Sequence, residues 1–393
     1  MKIGIVTRPN ENKWGGDLKA VAMIRQGLQE LGQDVVIGPT AMKLLDVDFL
    51  LLANTCIDQR TNYETLKLFE MKYGTFGFHE DCIQFDGPSF GLAHYVARCL
   101  GAGLPSDDGM EFEIERLFET PEIIYYHSLA PKKTPLFNYE LLKNAAVCIA
   151  NSPTEARILQ RDCPSCHAKV VYLTAGLEEN AEEDDAVLKF LGLKRGNYIL
   201  QVGRIEPRKN QLATILATKD FDIPLLLIAT DGYLPDYEAL CVAAIKKWRQ
   251  AHTIILSQTM NPEEAGNLRV VGMPDGKLLP KSWINGAFRH AGVCLHPAFS
   301  ETPGYIFFEA AMRGTSILAT DWCTVKDYFF DQQLGHSCLD GRIQYCLPYQ
   351  MAAIKRFVEE NFGKRFTVKP THPIFERTPA MVAQEILDSI NHR

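Results

Sequence analysis

Val293–Asp321 reads VCLHPAFSETPGYIFFEAAMRGTSILATD, and this stretch decides the fold. Val293-Cys294-Leu295 is a short apolar run bounded by polar residues, which predicts a buried strand. Ser300-Glu301 turns the chain. Thr302 is a good N-cap residue and Pro303 suits the first position of a helix. Gly304–Arg313 carries a helical period and closes at Gly314, a residue that terminates helices well. Thr315–Thr320 then reads as a second strand. A strand, loop, helix and strand in succession form the repeat of a parallel α/β sheet. Glu301 lies in the loop and Glu309 on the helix. A helix N-terminus after a parallel strand offers free N–H groups and a positive dipole end, which suits phosphate. Gly304 lets a ligand come close to the backbone. Glu309 sits among Phe307, Phe308, Ala310, Ala311 and Met312, where a carboxylate needs a partner. A ribose diol over the helix start would supply one.

Outward from this unit the pattern repeats. In the first half, strands are expected at Lys2–Thr7, Asp34–Ile37, Phe49–Ala53, Thr75–Phe78, Val147–Ala150 and Lys169–Leu173. Helices are expected at Leu18–Leu31, Thr61–Tyr73, Ser89–Leu100, Asn138–Lys143 and Pro153–Arg161. An acidic run, Glu178–Asp185, reads as a linker leading into a helix. The second half restarts with strands at Tyr198–Val202, Pro224–Ala229 and Thr253–Leu256, and helices at Gln211–Ala217, Asp236–Arg249 and Pro280–Ala291. Tyr349–Asn361 and Pro379–Ile390 are amphipathic helices near the end. The expected architecture is α/β, with two Rossmann-like, doubly wound domains facing across a cleft. We assign residues 1–177 to the first domain and 178–375 to the second. Residues 376–393 form a last helix that can cross back to the first domain.

The chain has 393 residues, too many for one ordinary core, which supports the division into two. Its net charge of −7 argues against nucleic acid as a partner. No apolar run approaches the length of a membrane-spanning helix, and with a strand expected from Lys2 onward no signal peptide is expected. An odd count of 11 cysteines, several inside apolar runs, fits reduced thiols better than a disulfide framework. A cytoplasmic location is expected, with peripheral attachment at the inner membrane face left open. Asp46-Val47-Asp48 matches an aspartate pair that can hold a divalent metal, yet acidic residues also precede strands for solubility. Cys163-Pro164-Ser165-Cys166-His167 matches a haem-attachment pattern and offers zinc ligands. It reads more simply as a turn between a helix and a strand, and no metal or other cofactor is expected.

Two motifs carry a resemblance. The first is Val202-Gly203-Arg204-Ile205-Glu206-Pro207-Arg208-Lys209-Asn210-Gln211. The second is Ser300-Glu301-Thr302-Pro303-Gly304-Tyr305-Ile306-Phe307-Phe308-Glu309-Ala310. Together they resemble the retaining glycosyltransferases of GT-B fold, and more narrowly family 4 with its paired glutamates. Weaker echoes are Gly15-Gly16, Ile149-Ala150-Asn151-Ser152 with Glu155, and Asp231-Gly232.

The resemblance implies an enzyme that moves a sugar from a GDP-, UDP- or ADP-linked donor to a hydroxyl, keeping the anomeric configuration. The acceptor would be a glycan, a lipid-linked or a small molecule. Gly203, Arg204 and Lys209 would hold the donor diphosphate, and both cations would stabilise charge on the leaving nucleotide. Glu309 would bind the ribose. Glu301, Pro303 and Gly304 would face the donor sugar and its phosphate. Gly15 and Gly16 would lie near the phosphates on the acceptor side, and His79 beside the reacting sugar. Three departures stand out. Thr302-Pro303 replaces a glycine-aromatic pair, Thr174-Ala175-Gly176 replaces an asparagine-glycine, and Gly101–Thr134 has no counterpart. Two other readings remain open at this stage: a nucleotide-sugar-binding protein without transfer activity, and a phosphorylase or epimerase of the same fold.

Overall fold

The computed structural model describes residues 1–7, 16–53, 60–76, 92–93, 95–101, 106, 108–109, 136–175, 185–229, 234–257, 269–272, 279–299, 301, 304–321, 324–331, 336–337, 341–367 and 373–391. The first half supplies strands β1 (Lys2–Val6), β2 (Asp34–Gly38), β3 (Phe49–Ala53), β4 (Tyr73–Phe76), β5 (Cys148–Ala150) and β6 (Ala168–Val170). They form one parallel sheet in the order β2-β1-β3-β4-β5-β6. Its helices are α1 (Gly16–Glu30), α2 (Arg60–Leu68), α3 (Leu136–Asn144) and α4 (Pro153–Asp162). The second half supplies β7 (Ile199–Val202), β8 (Leu225–Ala229), β9 (Thr253–Ser257), β10 (Arg269–Gly272), β11 (Val293–Leu295), β12 (Ile317–Thr320) and β15 (Ile343–Cys346). These form a second sheet in the order β10-β9-β8-β7-β11-β12-β15. Between β12 and β15 a small antiparallel pair intervenes, β13 (Phe330–Asp331) with β14 (His336–Ser337). The helices of this half are α5 (Ala186–Leu191), α6 (Gln211–Ala217), α7 (Pro235–Trp248), α8 (Lys281–His290), α9 (Tyr305–Met312), α10 (Val325–Phe329), α11 (Met351–Asn361), α12 (Pro373–Glu376) and α13 (Pro379–Asn391).

The inner strands of each sheet are buried on both faces, which is why they read as continuous apolar runs. In β3, Leu51 and Ala53 enter one core while Leu50 and Leu52 enter another. In β8, Leu226 and Ile228 face one helical layer, and Leu225, Leu227 and Ala229 the other. Period-two alternation thus feeds two helical layers from one strand.

Several elements differ from the sequence expectation. α2 ends at Leu68 rather than Tyr73, and β4 runs Tyr73–Phe76 rather than 75–78. The helix closes where Glu70 turns left-handed at φ 48°, with Met71 N–H donating back to the Leu66 carbonyl at 3.0 Å. No glycine marks that stop, so the sequence hides it. The helix of the opening unit begins at Tyr305, one residue later than expected, with Gly304 as its N-cap. Thr302 and Pro303 themselves lie outside the described residues. Strands β10 and β15 and helix α10 were not anticipated. The expected boundary at 177/178 lies outside the described residues, whereas 375/376 falls inside α12.

Two segments cross between the halves. α13 lies along α1 so closely that a Cβ on Gly27 would come 2.0 Å from the Pro379 carbonyl oxygen. Helical residues 92–93 and 95–100 follow β4 in the chain, yet Leu92 and Val96 are buried with Leu212, Tyr237 and Cys241 of the second domain. Lys247 donates to the carbonyls of Cys99 and Leu100 at that helix end. Polar contacts complete the junction. Thr154 gives its N–H (2.8 Å) and hydroxyl (3.0 Å) to Asp327, and the Tyr328 hydroxyl donates to the Asn151 carbonyl at 2.7 Å. Among the described residues, no helix is long and apolar enough to cross a membrane.

Candidate functional site

In the second sheet the chain runs outward from β7 through β8 and β9 to β10, then returns to lay β11 on the other side of β7. The strand order reverses between β7 and β11. Loops leaving the C-terminal ends of two such strands part from each other and open a crevice. Both sequence motifs leave those two ends.

The first loop is held by its own side chains. Gly203 continues the ladder by donating to the Ile228 carbonyl at 3.0 Å. A 3-10 turn at Pro207–Lys209 follows, ended by Asn210 in the left-handed region at φ 57°. Asn210 also caps α6 through the Ala213 N–H, and its amide donates to the carbonyls of Pro297 (2.8 Å) and Pro348 (2.7 Å). Gln201 holds the Lys209 carbonyl at 2.9 Å, and Gln211 holds that of Arg204 at 2.7 Å. Phe299 N–H donates to the Arg208 carbonyl at 2.8 Å, tying the second loop to the first. The backbone under Lys209 is therefore fixed from several sides.

Lys209 Nζ meets Glu301 Oε1, and His296 Nε2 meets the same oxygen. The side chains are 13% (Lys209), 7% (Glu301) and 1% (His296) exposed. Burial pushes the Glu301 carboxyl up, but Lys209 above all outweighs this and holds it well below the usual carboxylate range. Burial lowers the Lys209 ammonium, with Arg208 adding to the effect and Glu301 opposing it. Burial likewise keeps His296 below the usual imidazole range, so it is neutral at pH 7. Around this pair, Glu206 takes Arg208 at 3.0 Å and Arg204 at 3.4 Å. Three cations thus stand against two carboxylates, leaving a net positive loop.

On the second loop, Gly304 is left-handed at φ 77°, and a Cβ there would lie 2.6 Å from the Phe307 ring. Only glycine fits that turn. Glu309 faces the first domain, where Lys19 on α1 reaches it at 3.2 Å and also lies 4.5 Å from the Tyr305 ring centroid. The partner that this carboxylate requires is therefore present within the chain. Gly16 is the first residue of α1 and so lies at a helix N-terminus after β1.

The structure thus brings together Gly203, Arg204, Lys209, Glu301 and Gly304 at the switch point, with Glu309 in the second turn of α9. Gly15, His79, Pro303 and Asp231-Gly232 lie outside the described residues, as does most of Gly101–Thr134. Sequence reasoning missed three residues. Glu206 sat inside a quoted motif without a role. His296 had a signal, a histidine and proline just beyond a buried strand. Lys19 had none, because only the packing of two domains brings it to Glu309.

The motifs set aside also have places. Lys2 Nζ pairs with Asp46 at 2.7 Å, and its N–H donates to Asp48 at 2.7 Å, so the aspartates pin the start of β1. Cys163 and Cys166 lie in the turn between α4 and β6 as free thiols. Burial pushes the Cys163 thiol up, away from thiolate character.

No family model matches the chain, and a search of curated protein sequences returned no match. Solved structures do match. HepE of Anabaena, in complex with UDP and glucose, shares 12% identity at a TM-score of 0.61 over 100% of both chains. The sucrose-phosphate synthase of Thermosynechococcus elongatus shares 13% at 0.54, over 99% of this chain and 94% of that one. A UDP-forming α,α-trehalose-phosphate synthase of Burkholderia xenovorans shares 10% at 0.55, over 97% and 80%. At such identities the likeness is one of fold. It defines the class of architecture: two Rossmann-like domains facing across a cleft, the GT-B arrangement.

Proposed function

We propose that the chain is a retaining glycosyltransferase that moves a sugar from a nucleoside-diphosphate sugar to a hydroxyl acceptor. One observation carries the reading. A buried lysine and a buried carboxylate touch each other at the switch point, inside a net cationic loop. A sugar phosphate presents an anion bonded directly to a polyhydroxyl ring, so its site needs a cation for the one beside an acceptor for the other. The narrower assignment to family 4 rests on the motifs at 202–211 and 300–310. The neighbours described as UDP complexes or UDP-forming enzymes favour UDP over GDP or ADP.

In this reading Gly203 allows close approach of the diphosphate, while Arg204 and Lys209 bind it. Glu301 and the backbone at Pro303-Gly304 face the sugar. Glu309 takes the ribose, exchanging Lys19 for the diol, and Gly15, Gly16 and His79 serve the acceptor side. The sugar C1–O bond to phosphate breaks as the acceptor oxygen bonds to C1 on the same face. The departing phosphate oxygen takes the acceptor's proton. Arg204 and Lys209 stabilise the charge that develops on the leaving group, the task a divalent metal performs elsewhere.

The test has two stages. Thermal shift with UDP, GDP, ADP and their glucose conjugates identifies the donor through its stabilisation of the folded state. Product analysis by NMR then reads the anomeric configuration. Lys209→Ala and Glu309→Ala should each abolish transfer with circular dichroism unchanged. Wild-type rates in both variants would refute the assignment.

A further inference from the structure

We infer that His296 is a positioning residue for Glu301, and that through Glu301 it sets the preference for a sugar-bearing nucleotide over the bare nucleoside diphosphate. The second half of this inference rests on the function proposed above; the first half does not.

His296 is the first residue beyond β11, and its N–H continues the ladder to the Leu318 carbonyl at 3.0 Å. Phe307 meets its ring edge-on with centroids 5.4 Å apart, and Glu301 holds its Nε2. Ring orientation is therefore set by the loop and helix that follow β11. Nε2 points at Glu301 Oε1. An ionised carboxylate only accepts, so Nε2 carries the proton and Nδ1 does not. Among the described residues, buried Nδ1 has no hydrogen-bond partner. A side chain kept for packing alone would be better as an apolar residue, which leaves no orphaned nitrogen. The imidazole is explained by the bond it makes to Glu301.

That bond divides the work within the triad. Lys209 and His296 both take Oε1, and no described residue bonds Oε2, the oxygen this inference gives to a ligand. Lys209 is a long cation whose charge a phosphate would also attract. His296 is neutral and buried and has no such second demand. With phosphate engaged on Lys209, His296 still holds the carboxylate toward the sugar. A rigid supporting bond of this kind sharpens recognition of the group that the carboxylate touches and does nothing for a ligand that lacks it.

The experiment is calorimetry of UDP and UDP-glucose on wild type, His296→Leu and His296→Gln, the glutamine amide placing an N–H where Nε2 stood. His296→Leu should lose about tenfold for UDP-glucose and less than about twofold for UDP, the size of one well-made polar contact. His296→Gln should stay within about threefold of wild type for both ligands. Equal losses on both ligands, or glutamine no better than leucine, would overturn the inference. A leucine variant that does not fold is replaced by His296→Met under the same criteria. Should wild type bind no nucleotide at all, the proposed function and the sugar preference fail together, and a ligand-free cycle still decides the positioning role. Urea unfolding of wild type, His296→Leu, Glu301→Gln and the double variant should show coupling of about tenfold in the unfolding constant. Additive effects would overturn the positioning role.

Discussion

Replacing Lys209 by methionine tests the electrostatics of the site without any ligand. The substitution keeps the aliphatic stem and removes the charge, so packing is largely conserved. Among the described residues, Glu301, 7% exposed, then keeps neutral His296 as its hydrogen-bond partner and only the more distant charge of Arg208. Removing one member of a buried ion pair costs about 3–5 kcal/mol, because the other charge stays buried and uncompensated. The sign of the pH dependence follows from the carboxylate. In wild type its folded pKa is depressed by Lys209, so its contribution is present above the unfolded value of 4.5 and is lost as pH falls through the folded one. In Lys209→Met the largest charge opposing burial is gone and the folded pKa rises, so acidification weakens the variant less than wild type. The stability gap should therefore be widest near pH 7 and shrink toward pH 4. Urea unfolding followed by tryptophan fluorescence reads this, since three of the four tryptophans, Trp248, Trp283 and Trp322, lie in the second half. The double variant Lys209→Met/Glu301→Gln should recover most of the loss. A gap below about 1 kcal/mol at pH 7, which is the range of exposed pairs, or one that does not vary with pH, would refute the reasoning.

Three further outcomes are expected. Gly304→Ala forces a side chain into the left-handed region against the Phe307 ring and should cost about 1–3 kcal/mol, read as a lower melting temperature. Gly27→Ala places a methyl on the Pro379 carbonyl and should lift α13 from α1; faster hydrogen exchange confined to 379–391 would show it, and unchanged exchange would contradict the packing. Lys19→Met frees Glu309 and should tighten UDP binding by up to about fivefold in calorimetry, while weaker binding would mean that Lys19 holds the nucleotide itself.

Much of the fold was legible because parallel strands buried on both faces write unbroken apolar runs. Phe49–Ala53 and Gln211–Ala217 match the structure residue for residue. Elements were lost where the signal was tertiary. β10 and β15 are edge strands of four residues, too short to separate from loop. The end of α2 depends on a glutamate adopting a glycine's conformation. In the site, the loop cations and paired glutamates were legible because phosphate and hydroxyl chemistry restricts residue types. Their partners were not, because His296 and Lys19 are ordinary residues until folding places them.

The sequence by itself determined the class of chain: two alternating β/α halves, with Lys209 and Glu301 in loops that each follow a strand. That information is local, carried by period, turn residues and side-chain chemistry over short windows. The tertiary structure alone decided that Lys209, His296 and Glu301 share one buried oxygen, that Lys19 crosses to Glu309, and that residues 92–100 pack on the second domain. Those facts depend on the register of strands and the docking of domains. Contacts between residues far apart in the chain are set by the sum of many weak packing terms, which no short window of residues contains.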